Sequence, residues 1–181
     1  MKNLLLIRHA KSSWEDPMLS DQERPLNKRG KKDAPAMGRL LKEKNLPADL
    51  IVCSPAKRAF KTAKLIAEEM GYPKKRIEVR EEIYEQGLDA LIELIGKLED
   101  SLDRVFLIGH NPELTDLANR LTGAGIENVP TCGIVSIEFP LSHWKDCALK
   151  GGKLALFERP AKQKVDTFHE EELPDADIIG T

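Results

Sequence analysis

A three-layer α/β/α domain with a mostly parallel central sheet is the fold this sequence predicts, and three observations predict it. Short apolar runs, leucine-rich or β-branched, recur along the chain. Amphipathic stretches of helical period lie between them, and glycine, proline or asparagine marks many of the changeovers. Strand alternating with helix is the pattern that builds a parallel sheet covered by helices.

The elements follow in order. NLLLI (3–7) is a strand whose unbroken run from Leu4 to Ile7 suits burial on both faces. Residues 28–45 set Met37, Leu40 and Leu41 among lysines and end near Asn45, with Pro47 just beyond, which reads as a helix. DLIVC (49–53) is the second strand, and KRAFKTAKLIAEEMG (57–71) is an amphipathic helix closing on Gly71. LDALIELIGKLED (88–100) repeats that helical pattern before the strand RVFLI (104–108). PELTDLANRLTG (112–123) opens with proline at the first helical position and ends on glycine. GIVSIEF (133–139) and KLALFE (153–158), the latter following Gly151-Gly152, are strands able to pair as a hairpin. One domain is expected over 1–160, with an acidic tail over 161–181 that is partly ordered or packed on it. The stretch 12–30 is long and polar for a loop in a compact domain, as lids and rims often are. His143 and Trp144 fall in a loop and receive no role.

Composition excludes several functions. The formal net charge of −2 provides no global field to recruit nucleic acid or an anionic membrane. The apolar N-terminal run is cut off by Arg8, too short for a signal-peptide core, and no apolar stretch is long enough to span a membrane. Three cysteines, Cys53, Cys132 and Cys147, with no CxxC spacing, fit a reducing compartment and argue against a disulfide framework or thiolate zinc site. A cytoplasmic location is expected.

The strand ends hold the chemistry. NLLLI runs into Arg8-His9, DLIVC into Ser54-Pro55 with Arg58 in the next helix turn, and RVFLI into Gly109-His110-Asn111-Pro112. In a parallel sheet these ends share one edge, and ligands bind in the crevice outside it. Two histidines and two arginines, joined by helix N-termini, form a local cationic pocket whose natural guest is a tetrahedral oxyanion, phosphate foremost. Arginines grip phosphoryl oxygens, one imidazole can take the phosphoryl group covalently, and the other can support an equatorial oxygen. The carboxylates are scattered, with no HExxH or DxD cluster, so neither a metal nor a cofactor is expected.

The ordered set LIRHAKSSW, CSPAKRAFKTA and LIGHNP resembles the histidine phosphatase superfamily over roughly residues 1–160. Within it, the short chain, Ala10 in place of the usual glycine, and KSSW followed by ERPLNKRG are similar to the SixA-type phosphohistidine phosphatases. The resemblance implies a phosphoglycerate mutase-like fold, His9 as nucleophile, Arg8 and Arg58 as phosphate clamps and His110 as electrostatic partner. It implies hydrolysis through a phosphohistidine intermediate, with a phosphohistidine-bearing protein as the leading substrate. Alternatives are a small phosphate ester with the same chemistry, or a phospho-binding module without turnover.

Other positions stay open. The general acid is Glu85, ahead of Gly87, or its neighbours Glu81 and Glu82, or the loop carboxylates Asp16, Asp21 and Glu23, or none. Glu15 stands where many mutase-like members have asparagine, so Ser12 is the candidate for that phosphoryl contact. Arg24 lies near the pocket mouth or holds the loop by a salt bridge; Ser54 caps or shapes a turn; Thr62 and Trp14 are assigned to packing. Lys28, Arg29, Lys31 and Lys32 are a solvated face first and a docking patch for an acidic partner second. Neither the partner nor the oligomeric state follows from these residues.

Overall fold

Why the first strand is so apolar is plain from the sheet order, β3-β2-β4-β1-β5-β6. In the computed structural model, which describes residues 1–149 and 151–162, β1 (Lys2–Arg8) lies between β4 (Arg104–Gly109) and β5 (Ile134–Phe139). β1 is buried along its whole length. β2 (Leu50–Cys53) and β3 (Glu78–Val79) extend the sheet in parallel beyond β4. On the other side β5 runs antiparallel to β1, and β6 (Lys153–Glu158) antiparallel to β5. The expected tail over 161–181 lies outside the described residues from 163 onward.

Period-2 alternation divides the sheet between two cores. Leu5, Ile7, Ile51, Cys53, Phe106 and Ile108 face α1 (Lys28–Glu43) and α2 (Lys57–Met70). Leu4, Leu6, Val52, Val105 and Leu107 face α3 (Gly87–Gly96), α4 (Glu113–Thr122) and the short α5 (Trp144–Cys147). Helices on both faces of a mostly parallel sheet are the predicted three layers. α1 and α2 pack on each other along one face. No helix among the described residues is long and apolar enough to cross a membrane.

Departures from expectation have local causes. β3 is two exposed residues, with no apolar run to mark it. The third helix ends at Gly96, four residues before the patterned stretch does. β5 and β6 pair, but α5 lies in the connection between them. Trp144, expected in a loop, starts that helix fully buried, its indole N–H donating to the Leu102 carbonyl at 2.9 Å. His143 pairs with Asp100 at the surface, at 2.8 Å.

The start of α1 fixes the backbone just past the first strand. Asn27 caps the helix, its side chain accepting from the Gly30 amide at 2.9 Å, while its own amide donates to the Lys11 carbonyl at 3.0 Å. A Cβ on Gly30 would stand 2.2 Å from that carbonyl oxygen, so only glycine allows the approach.

Candidate active site

Strand register brings the two histidines together. β1 and β4 pair with Arg8 opposite Gly109, so the next residue on each strand is a histidine, and both turn to the α1/α2 face. Their ring centroids are 5.1 Å apart with planes inclined at 53°. β2 lies on the far side of β4, and Arg58 in the first turn of α2 reaches the same point. One of its terminal nitrogens lies 3.5 Å from His110 Nδ1. The four groups are almost withdrawn from solvent, with Arg8 0%, His9 1%, Arg58 3% and His110 8% exposed. Burying two guanidiniums this deeply is costly unless anionic or hydrogen-bonding partners repay the lost hydration.

Hydrogen bonds assign the tautomers. His9 Nδ1 lies 2.7 Å from the Ala10 carbonyl, which can only accept, so Nδ1 carries a proton and Nε2 is the nitrogen that holds the lone pair when the ring is neutral. The Ala10 amide in turn donates to Thr62 Oγ1 at 3.0 Å, and that hydroxyl donates to the Arg58 carbonyl at 2.8 Å. The nucleophile candidate and the arginine clamp candidate are thus set against each other through one threonine. His110 Nε2 is 2.8 Å from Ser54 Oγ. Since Arg58 offers only N–H groups, His110 accepts at Nδ1 and donates from Nε2 to Ser54.

Arg8 belongs to the site by adjacency and register. Its terminal N–H donates to the Val129 carbonyl at 3.2 Å. Cys132, buried with φ 56°, donates its amide to the carbonyls of both Arg8 and His9, at 3.0 and 3.1 Å. A left-handed non-glycine residue costs energy, and here it pins the pair from the β5 side.

The long loop closes the other side, through Asp21. Its carboxylate accepts from Arg58 at 3.0 Å, from Arg24 at 3.2 Å and from the Tyr84 hydroxyl at 2.6 Å, and its carbonyl accepts from Arg58 at 2.6 Å. Partial burial pushes the Asp21 carboxyl up, but the Tyr84 hydroxyl and the two guanidiniums outweigh it and hold the group below the ordinary carboxylate range. Tyr84 meets His110 edge to face at 5.5 Å, and burial together with the Asp21 and Glu85 carboxylates pushes its phenol up, so it remains a donor.

The other candidates divide. Glu85 sits exposed on the rim, at φ 54°, beside Tyr84, and its charge adds to the upward push on that phenol. Glu82 pairs with Arg80 instead, at 3.3 Å, and Asp16 turns back to the Met18 amide at 3.0 Å. Ser12 is buried, its hydroxyl accepting from Arg24. Arg24 fills both roles considered for it, since it pairs with Asp21 and lies beside the site with its guanidinium 3.2 Å from the Trp14 ring centroid. Tyr84 had no signal in the sequence, Ser54 only that of a cap or turn residue, and Thr62 only that of packing. The thiols are poor nucleophiles, for burial pushes Cys53 up to about 12 and Cys147 up to about 11.

An Arg-His pair and a second histidine at the ends of adjacent parallel strands, inside an α/β/α sandwich, fit the phosphatase class whose family model the chain matches. The chain belongs to the histidine phosphatase superfamily (branch 1), whose family model matches residues 4–95. An uncharacterised protein of Mycobacterium tuberculosis is 31% identical over 150 residues, covering 77% of this chain and 90% of that protein. A chloroplastic protein of Arabidopsis thaliana, also uncharacterised, is 29% identical over 159 residues, covering 83% of this chain and 72% of its own. Among solved structures, the SixA protein of Agrobacterium tumefaciens superposes with a TM-score of 0.76 at 24% identity, covering 88% of this chain and 98% of that one. The protein histidine phosphatase SixA complexed with tungstate gives 0.70 at 19%, covering 86% and 95%. Mycobacterial glucosyl-3-phosphoglycerate phosphatase gives 0.64 at 16%, covering 89% and 100%. At these identities the solved structures establish the fold alone.

Proposed function

We propose that the chain is a metal-independent phosphohistidine phosphatase acting on a protein-borne substrate. The observation that carries the reading is the orientation of the His9 ring: Nδ1 is turned to the Ala10 carbonyl at 2.7 Å, which makes Nε2 the ring nitrogen that would attack phosphorus. The substrate imidazole takes a proton from solvent on its other ring nitrogen, His9 Nε2 attacks, the P–N bond breaks, and the substrate ring leaves as neutral imidazole. Water then attacks the phosphoryl group on His9, releasing inorganic phosphate and restoring the neutral ring. Arg8 and Arg58 clamp the phosphoryl oxygens, with His110 beside them. Arg58 Nε is buried without a hydrogen-bond partner among the described residues, the kind of orphan a bound oxyanion satisfies.

The substrate class follows from the proton the leaving group needs. Asp21, while it is held by the Tyr84 hydroxyl and by Arg58 and Arg24, stays ionised and is therefore a poor general acid at neutral pH. An imidazole leaving group tolerates that, whereas an alkoxide does not. The likeness to SixA structures supports the same choice. The competing reading is a small-molecule phosphatase, supported by the likeness to the glucosyl-3-phosphoglycerate enzyme. In it Glu85, on the rim beside Tyr84, is the acid.

The test is turnover of a ³²P-phosphohistidine protein against a panel of sugar phosphates and p-nitrophenyl phosphate. Base-stable, acid-labile label should appear on the wild type and be lost in His9→Ala. A kcat/KM on any ester equal to that on phosphohistidine would overturn the assignment.

A further inference from the structure

Next to the active site, on the outer side of α2, runs a groove of about 370 Å³ whose lining includes Lys31, Lys57, Lys61, Lys64, Phe60 and Leu26. Positions 57, 60, 61 and 64 form one helical face, one residue round from Arg58, which points inward. The other wall comes from the end of the long loop and the start of α1, the segment that also supplies Asp21 and Arg24. Four ammonium groups and no carboxylate line the groove, in a chain whose net charge is −2. An acidic partner is attracted here and repelled by the molecule as a whole, so the groove sets orientation as well as contact.

We infer that this groove docks an acidic protein surface bearing an apolar side chain, and that it is how the phosphohistidine carrier is recognised. The inference rests on the phosphatase reading above and adds the place and chemistry of recognition. The apolar floor of Leu26 and Phe60 suits a protein side chain. It suits a nucleic-acid base poorly, because Lys64 Nζ sits 4.5 Å over the Phe60 ring and covers a face on which a base would stack.

The test uses the full chain and two synthetic peptides, one rich in glutamate and leucine, the other with every glutamate replaced by glutamine. Fluorescence anisotropy at low salt should show the acidic peptide binding at least about tenfold more tightly than its glutamine counterpart, the preference shrinking as salt screens it. Lys57→Glu, Lys61→Glu and Lys64→Glu combined should abolish that preference while leaving hydrolysis of phosphoramidate within about twofold of wild type. Equal binding of both peptides, or an unchanged preference in the triple variant, overturns the docking assignment. So does equal affinity for an oligouridylate of matched charge. Carbodiimide cross-links within the chain alone, from these lysines to Glu170, Glu171 or Glu172, overturn it too by giving the groove to the acidic tail. Binding is read without turnover, so failure of the phosphatase reading would show separately, as phosphoramidate left intact with the peptide preference in place.

Discussion

Replacing Thr62 with valine tests whether the site is built through the Ala10 peptide. Valine keeps the β-branched shape in a fully buried position, so packing changes little, but two hydrogen bonds disappear. The Ala10 N–H is left buried without its acceptor, a loss of about 1–3 kcal/mol. The Arg58 carbonyl loses a second donor, a loss of about 0.5–1.5 kcal/mol. A total of about 1.5–4.5 kcal/mol lowers Tm by roughly 3–18 °C for a domain of this size. The catalytic effect is separate: a freed Ala10 peptide no longer fixes the His9 ring. If about 1.4 kcal/mol of positioning is lost, kcat falls about tenfold. Vanadate affinity, which depends on the arginines, should hardly move. Thr62→Ser keeps the hydroxyl and should recover most of kcat. Calorimetry with steady-state kinetics on phosphoramidate decides it; a valine variant matching wild type in Tm and kcat, or a serine variant no better than valine, refutes the reasoning.

Other outcomes follow from the same geometry. Arg58→Ala should lower kcat by roughly 10²–10³-fold, the scale of losing one preorganised donor to a developing oxyanion, measured at saturating phosphoramidate. Asp21→Asn removes the internal anion from Arg58; because that carboxylate is 43% exposed the pair is worth at most about 1 kcal/mol, so the Kd for vanadate should fall by up to about fivefold. The Asp21 carboxyl is depressed in the folded chain, so its stabilising contribution is full above the unfolded carboxylate pKa and is lost as pH falls through the lower folded value. Vanadate affinity measured down to pH 4 in wild type and Asp21→Asn should therefore keep the same ratio, and a ratio that collapses between pH 7 and 5 would contradict the latch. Iodoacetamide at pH 7.5 should leave activity intact, since Cys53 and Cys132 are fully buried and the Cys53 thiol is pushed up to about 12.

What the sequence could reveal and what it could not divide along a physical line. The parallel sheet, its two cores and the convergence of Arg8, His9, Arg58 and His110 were legible because each depends on signals local to one strand or one helix turn. Apolar runs declare burial, and the residues just past them must land on a common edge. The histidine pairing needed one further fact, the register that sets Arg8 opposite Gly109. The rim was not legible. Tyr84 meets Asp21 across 63 positions of sequence, from a short 3-10 turn in one case and the edge of another in the other. No periodicity links such segments, and a tyrosine ahead of a glutamate has no signature of its own. Thr62 was read as packing because a buried threonine in a helix usually returns its hydroxyl to the preceding turn. It does so here, to the Arg58 carbonyl, but its lone pair also takes the amide of Ala10. Short-range order thus explains which residues gather, and long-range contacts decide how each is held. The acid question falls in the second group: Asp21 and Glu85 were both candidates by sequence, and Asp21 takes the Tyr84 hydroxyl while Glu85 adds its charge to the push on that phenol. Which of them serves a leaving group therefore turns on whether bound phosphate draws Asp21 away from the Tyr84 hydroxyl and the two guanidiniums that together keep its carboxyl ionised.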